Sequence, residues 1–306
     1  VKRLAPLVLG ALLALVACSQ SGGESGGQSS RTQARAKPGT LGAAGARTVV
    51  VTPPGARPVR GDLRVPVLHH RIAIVLVHGG GGFLGDRSEL RAWQDLYARH
   101  NYLTLSADYL IFNDDTPAPV YPQPESDVKA AVQFLRRHAG ELSIDPDKVV
   151  VHGFSAGARI GAQLLVGPDD PALTSGTRWP SPTDRIAGLI GFYGYYSGFQ
   201  FQSDRYYGGR ANSSDPAVRA RWKAANSGAR AADATGPVLL FHGDADPMPL
   251  SQSTGFADAL RAAGKDVDLA VVEGATHGFD IDHGKLTPAG ELASVRVLDW
   301  LARYFS

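Results

Sequence analysis

The stretch Lys148–Val149–Val150–Val151–His152–Gly153–Phe154–Ser155–Ala156–Gly157–Ala158 constrains this chain more than any other. Lys148 to Val151 reads as a short buried strand, and residues 158–166 read as a helix. Between them Gly153-x-Ser155-x-Gly157 leaves room only for a sharp turn, where side chains at the glycine positions would collide with neighbouring backbone. Strand, tight turn and helix is the setting in which a serine hydroxyl stands exposed at the end of a sheet. The five-residue pattern alone carries little weight in a chain with 36 glycines. Its flanking strand and helix give it that weight.

The same alternation recurs along the chain. Residues 48–52 and the segment around 63–68 predict two opening strands, joined as a hairpin through Pro53–Pro54–Gly55. Residues 71–77 form a continuous apolar run, the pattern of a strand buried on both faces, and end in His78–Gly79–Gly80–Gly81–Gly82–Phe83. Further strands are expected at 102–107, 185–192, 238–242 and 267–272, with helices at 88–98, 126–142, 251–263 and 288–304 between them. Strands alternating with helices predict an α/β fold: a mostly parallel sheet flanked by helices on both faces, over residues 48–306. Residues 195–235 fit that alternation poorly. Tyr195, Tyr196, Phe199, Phe201, Tyr206, Tyr207 and Trp222 lie there among Gly, Ser and Asn, as a small cap insertion over a substrate pocket or as a locally packed surface excursion.

The N-terminal part has a different character. Lys2–Arg3 followed by an apolar run from Leu4 to Val16 predicts a secretory signal over residues 1–18, too short for a comfortable membrane span. Leu15–Val16–Ala17–Cys18 resembles the lipobox of bacterial lipoproteins, which implies lipid attachment at Cys18 and anchoring at the surface of a cell-envelope membrane; plain secretion is the alternative. Cys18 is the only cysteine, so neither disulfides nor a cysteine metal site organises the fold. Residues 19–47, rich in Ser, Gly and Gln, read as a disordered tether. Of 31 Lys and Arg, Lys2 and Arg3 would leave with the signal, so 29 bases would face 29 acids and nucleic-acid binding has no electrostatic support. Nothing in the sequence sets the oligomeric state.

Acyl transfer by serine needs a hydroxyl, a base, a group that orients the base, and donors for the developing oxyanion. Each has a candidate at a predicted strand end, and parallel strands deliver those ends to one edge of a sheet. Ser155 is the candidate nucleophile. The side-chain-free amides of Gly80 and Gly81 are candidate oxyanion donors, with the Ala156 N–H behind the nucleophile as the other. No Lys-Ser/Thr follows these glycines, so they do not read as a phosphate loop, and no dinucleotide fingerprint is present. In His242–Gly243–Asp244–Ala245–Asp246–Pro247, Asp246 is preferred to Asp244 as the orienting acid because it lies farther into the loop, before a proline. His277, just past the last strand, is the candidate base; His283 is its rival, beside Asp280 and Asp282 in what reads as a solvated loop. Ser155, Asp246 and His277 then follow the chain order of an α/β-hydrolase triad.

From about residue 72 onward the chain resembles α/β-hydrolase esterases of the hormone-sensitive-lipase and acetyl- or feruloyl-esterase-like group. The matching blocks, in order, are His78–Gly79–Gly80–Gly81, Ser106–Ala107–Asp108–Tyr109, Ile144–Asp145–Pro146, Gly153–Phe154–Ser155–Ala156–Gly157, His242–Gly243–x–x–Asp246 and His277–Gly278–Phe279. The chain departs from that pattern in having four glycines after His78, which leaves the oxyanion register open by one residue, and in Ala158–Arg159 behind the elbow. The resemblance implies a Ser155–His277–Asp246 triad acting on small carboxylic esters, with short acyl groups expected and no cofactor or metal required. An amide-cleaving relative (arylformamidase or peptidase) would use the same machinery, and a surface lipoprotein binding its ligand without turnover is the non-enzymatic alternative.

Overall fold

The computed structural model describes residues 41–197 and 203–306. Residues 1–18 with Cys18, most of the stretch read as a tether, and Phe199 and Phe201 lie outside the described residues. In chain order the strands are β1 (Gly45–Val50), β2 (Arg60–Val65), β3 (Ala73–Val77), β4 (Leu103–Ala107), β5 (Val149–Phe154), β6 (Gly188–Phe192), β7 (Val238–Gly243), β8 (Val267–Val272), and a small hairpin β9 (Ile281–Asp282) and β10 (Lys285–Leu286). The α-helices are α1 (Arg91–Arg99), α2 (Gln123–Arg137), α3 (Ala156–Val166), α4 (Ser203–Tyr206), α5 (Pro216–Ala225), α6 (Ser251–Ala262) and α7 (Pro288–Phe305).

Eight strands form one sheet in the order β1-β2-β4-β3-β5-β6-β7-β8. β1, β2 and β4 pair antiparallel, and every pairing from β4 to β8 is parallel. The expected architecture is therefore present. The apolar run of β3 is continuous because both its faces are covered. Ala73, Val75 and Val77 pack on one side with Val128, Ile160 and Phe256 of α2, α3 and α6. Ile74 and Leu76 pack on the other with Trp93 of α1 and Trp300 of α7.

The chain steps from β3 to β4 and then crosses back, placing β5 on the far side of β3. Such a reversal opens a crevice at the carboxyl ends of the strands. The register there is tight: Val77 pairs with Ala107 and Gly153, Phe154 with Phe192, Phe192 with Phe241, and Gly243 with Val272. Every loop with candidate chemistry leaves the sheet along this one edge.

Element boundaries differ from the sequence reading where backbone partners, rather than side-chain pattern, decide them. β1 begins at Gly45, inside the stretch read as a tether, because residues 45–50 find a complete antiparallel partner in β2. The first turn of the helix expected from residue 88 is a 3-10 turn, Arg87–Leu90, capped by Asp86 through the Ser88 N–H at 2.6 Å. α2 starts at Gln123, with Pro124 in the first turn, where a missing N–H leaves no bond unmade.

α7 is tied to the loop that precedes it. The Thr287 hydroxyl accepts the Gly290 N–H at 3.0 Å and donates to the Phe279 carbonyl at 2.5 Å, while the Thr287 N–H donates to the Asp280 carbonyl at 2.9 Å. Thr287→Ala removes the cap and the carbonyl bond together. The expected loss is about 1–2 kcal/mol, read as a lower urea midpoint with an unchanged slope.

Candidate active site

Ser155 stands between β5 and α3 with φ 50° and ψ −111°, a region that a non-glycine residue occupies only when its surroundings impose it. Its N–H donates to the Phe192 carbonyl of β6 at 2.9 Å, and its own carbonyl accepts the Arg159 N–H at 3.2 Å. Gly157 allows the turn to press against the end of β3: a methyl group there would lie 2.1 Å from the Val77 carbonyl oxygen and 2.6 Å from that of His78. The residue itself is 8% exposed, enough to present its hydroxyl.

The glycine loop leaves β3 beside this turn. The Tyr109 hydroxyl lies 2.7 Å from the Gly79 carbonyl oxygen and 3.1 Å from that of His78, sharing its proton between them. The His78 ring stacks on Tyr109 at 4.2 Å and its Nδ1–H donates to the Gly79 carbonyl at 3.0 Å. Burial holds the His78 imidazole below its usual pKa, toward the neutral donor form, against a weaker upward pull from that carbonyl. The Gly80 carbonyl accepts from Phe83 and Leu84 N–H at 3.1 and 3.0 Å. A trans peptide points its N–H opposite its carbonyl, so engaging the Gly79 and Gly80 carbonyls turns the Gly80 and Gly81 N–H groups to the other side of the loop. Gly80 has φ 88°, and a methyl there would lie 2.0 Å from the Leu84 carbonyl oxygen, so no other residue fits. Ala156 opens α3, and the leading N–H groups of a helix have no partner within it.

The candidate acid and base come from the next two loops. The Ser155 hydroxyl is 2.9 Å from His277 Nε2, and His277 Nδ1 is 2.9 and 3.1 Å from the two carboxylate oxygens of Asp246. The Asp246 side chain has no exposed surface, whereas 35% of the His277 side chain is open to solvent. Asp246 also accepts the Met248 N–H at 2.7 Å. His242 sets the shape of that loop: its Nε2–H donates to the Met248 carbonyl at 2.9 Å, leaving Nδ1 to accept from the Ser253 hydroxyl at 2.8 Å. Asp244 is used differently, taking the Gly274 N–H at 2.7 Å. His283, with its side chain 94% exposed and Asp282 3.7 Å away, is not brought to Ser155.

One expectation needs correction, and one residue noted only as a departure has a structural part. Asp280 is not in a solvated loop: it is 1% exposed and accepts from Trp93 Nε1 at 2.7 Å and Tyr193 Oη at 2.5 Å. Only the Asp282 part of that reading matches, with its side chain 74% exposed. Arg159 is more than a departure from the usual residue behind an elbow. It is 1% exposed, donates to Glu125 Oε1 at 2.6 Å and to the Tyr206 hydroxyl, and lies 4.6 Å from the Tyr206 ring centre. The Tyr206 hydroxyl in turn donates to Glu125 Oε1 at 2.8 Å. Residues 203–225 are thereby fastened to α2 and α3, with Tyr206, Tyr207 and Trp222 packed on Phe112, Val120 and Tyr121. This aromatic cluster borders the glycine loop: a methyl at Gly82 would lie 3.0 Å from the Phe112 ring and 3.6 Å from that of Tyr206.

Sequence reasoning left Tyr109, His242, Glu125 and Arg159 without roles. Tyr109 and His242 lay within the matching blocks, where only their position at strand ends marked them. Glu125 and Arg159 are 34 residues apart and no spacing pairs them.

Among known proteins the chain is 27% identical over 230 residues to the esterase LipQ of Mycobacterium tuberculosis, covering 71% of this chain and 51% of LipQ. It is 28% identical over 254 residues to the carboxylesterase NlhH of the same organism, covering 78% and 76%. The chain spans about half the length of LipQ and of the related LipC, at 51% and 54%. An esterase of Thermogutta terrifontis, solved with propionate bound, superposes with a TM-score of 0.71 at 24% identity, covering 85% of this chain and 94% of that one. The sheet order, the flanking helices and this superposition are those of the α/β-hydrolase fold. Residues 67–260 match the BD-FAE family model, and the chain belongs to that family.

Proposed function

We propose that this protein is a serine hydrolase that cleaves small carboxylic esters with short acyl groups. One observation carries the reading: the unbroken run of contacts from Ser155 Oγ through His277 Nε2 and Nδ1 to Asp246, each step 2.9 Å. His277 takes the Ser155 proton as the oxygen attacks the ester carbonyl carbon. The oxyanion is received by the N–H groups of Gly80, Gly81 and Ala156. The alcohol leaves with the proton from the imidazolium, whose charge Asp246 balances. Water, giving a proton to His277, attacks the acyl-enzyme; the carboxylic acid departs and Ser155 recovers its proton. The ester-hydrolase names of LipQ and NlhH support this chemistry.

The short-acyl reading draws on the aromatic side chains that crowd the glycine loop. A methyl at Gly81 would lie 2.6 Å from the Phe83 ring, so that ring sits close over the loop. Propionate bound to the Thermogutta esterase fits the same expectation. In this reading residues 195–235 serve as a cap whose buried tyrosines wall the substrate space. Export and lipid attachment at Cys18 complete the proposal, supported by Leu15–Val16–Ala17–Cys18 behind an apolar run. Among the described residues no helix is long and apolar enough to cross a membrane.

Ser155→Ala is expected to lower p-nitrophenyl acetate turnover by about 10⁴-fold or more and abolish fluorophosphonate labelling, with the circular dichroism spectrum unchanged. Retained turnover in a folded variant refutes the reading. Across p-nitrophenyl esters, kcat/KM is expected to peak between acetate and butyrate; a rise continuing to octanoate rules out the short-acyl assignment. In a bacterial host, Cys18→Ser is expected to stop incorporation of an alkyne-tagged fatty acid and move the protein from the membrane to the soluble fraction. Unchanged labelling sinks the anchor.

A further inference from the structure

The proposed mechanism leaves one buried carboxylate beside the triad without a part. His277 is held in the plane of its ring at both nitrogens, by Ser155 and by Asp246. Hydrogen bonds at the two nitrogens resist rolling of the ring about the line that joins them only weakly. A second ring packed against it restricts that motion further.

Tyr193 supplies that contact. Its ring centre lies 4.8 Å from that of His277 at an interplanar angle of 59°. Tyr193 follows β6 directly, where Phe192 pairs with Phe154, the residue before Ser155. Its φ is 40°, in the left-handed region that an aromatic residue enters only when held there. It is held at both ends: its N–H donates to the Phe241 carbonyl at 2.7 Å, and its hydroxyl donates to Asp280 Oδ1 at 2.5 Å. Trp93 Nε1 occupies the other Asp280 oxygen at 2.7 Å. Asp280 is three residues beyond His277, so one carboxylate fixes both the loop that carries the imidazole and the ring against which it leans.

We propose that Asp280, acting through the Tyr193 ring, is a positioning residue that holds the His277 imidazole in its bridging orientation between Ser155 and Asp246. This inference rests on the serine-hydrolase reading of the site. Burial raises the Asp280 carboxyl above the usual range, and its two donors and nearby His277 draw it back. A buried acid that is kept in spite of that penalty is bound to a geometric task or to stability alone, and the two separate experimentally.

Tyr193→Phe keeps the ring and removes the bond to Asp280; Asp280→Asn keeps the size and removes one acceptor. In both, kcat for p-nitrophenyl acetate per folded molecule is expected to fall by about 10- to 100-fold, with KM within about twofold of the unmodified protein. The rate of fluorophosphonate inactivation is expected to fall in parallel, and the double variant to be little worse than either single. If Asp280→Asn does not fold, Tyr193→Phe carries the measurement. A folded Tyr193→Phe variant that keeps kcat within about twofold while losing thermal stability overturns the inference and leaves the serine-hydrolase reading standing. An unmodified protein that neither turns over the ester nor labels overturns both.

Discussion

The approach of the elbow to the end of β3 is the contact on which the site depends. Ser155 is held where an L-residue costs about 1–3 kcal/mol. The turn survives because three strands share the load: β5 carries it, β6 takes the Ser155 N–H through Phe192, and the last carbonyls of β3 lie against Gly157. The approach also decides where the glycine loop begins. Val77 pairs with Gly153, so the chain leaving β3 can only start beside the serine. The candidate nucleophile and the candidate oxyanion donors are therefore two consequences of one register.

Around that junction the protein spends buried charge on geometry. Arg159 and Glu125 are almost wholly withdrawn from water, with side chains 2% and 0% exposed. Desolvating two ions commonly cancels what their attraction returns, so such a pair is weak evidence for stability. It is better evidence for a fixed arrangement. The Tyr206 hydroxyl between them admits one placement of the chain that carries it, and an apolar contact of equal area would tolerate several. Aromatic walls beside the glycine loop are thus set from beneath, by ions on α2 and α3.

What could be read from sequence and what could not divides along the same line. β3 and β5 were legible because strands buried on both faces leave continuous apolar runs. Ser155, Asp246 and His277 were legible as candidates because each follows a predicted strand, although β8 before His277 is a half-exposed edge strand interrupted by Asp268. Segment ends were harder. Residues 45–47 look like linker, and only pairing with residues 63–65 of β2 makes them strand. Asp280 was misread for a related reason: an acid two residues from Asp282 and three from the exposed His283 has the local signature of a surface loop. What buries it comes from Trp93, 187 residues earlier, and Tyr193, 87 residues earlier. Local composition carries no trace of either.

The wetting of the three candidate residues is graded, and the grading has a chemical sense. Asp246 is dry, with its oxygens committed to His277 and the Met248 N–H, and His242 braces the turn behind it. A carboxylate so enclosed keeps its charge directed at one partner, because little water is present to screen it. The imidazole at the other end keeps 35% of its side chain open. An acyl-enzyme route needs that opening, since an alcohol must leave and a water must enter beside the same nitrogen. Full enclosure would strengthen the ion pair and obstruct the second half of the cycle; full exposure would admit water and weaken the base. An imidazole open on one side and packed against Tyr193 on another meets both demands, and it would tie the orientation of the candidate base to the end of β6 as well as to the acid it faces.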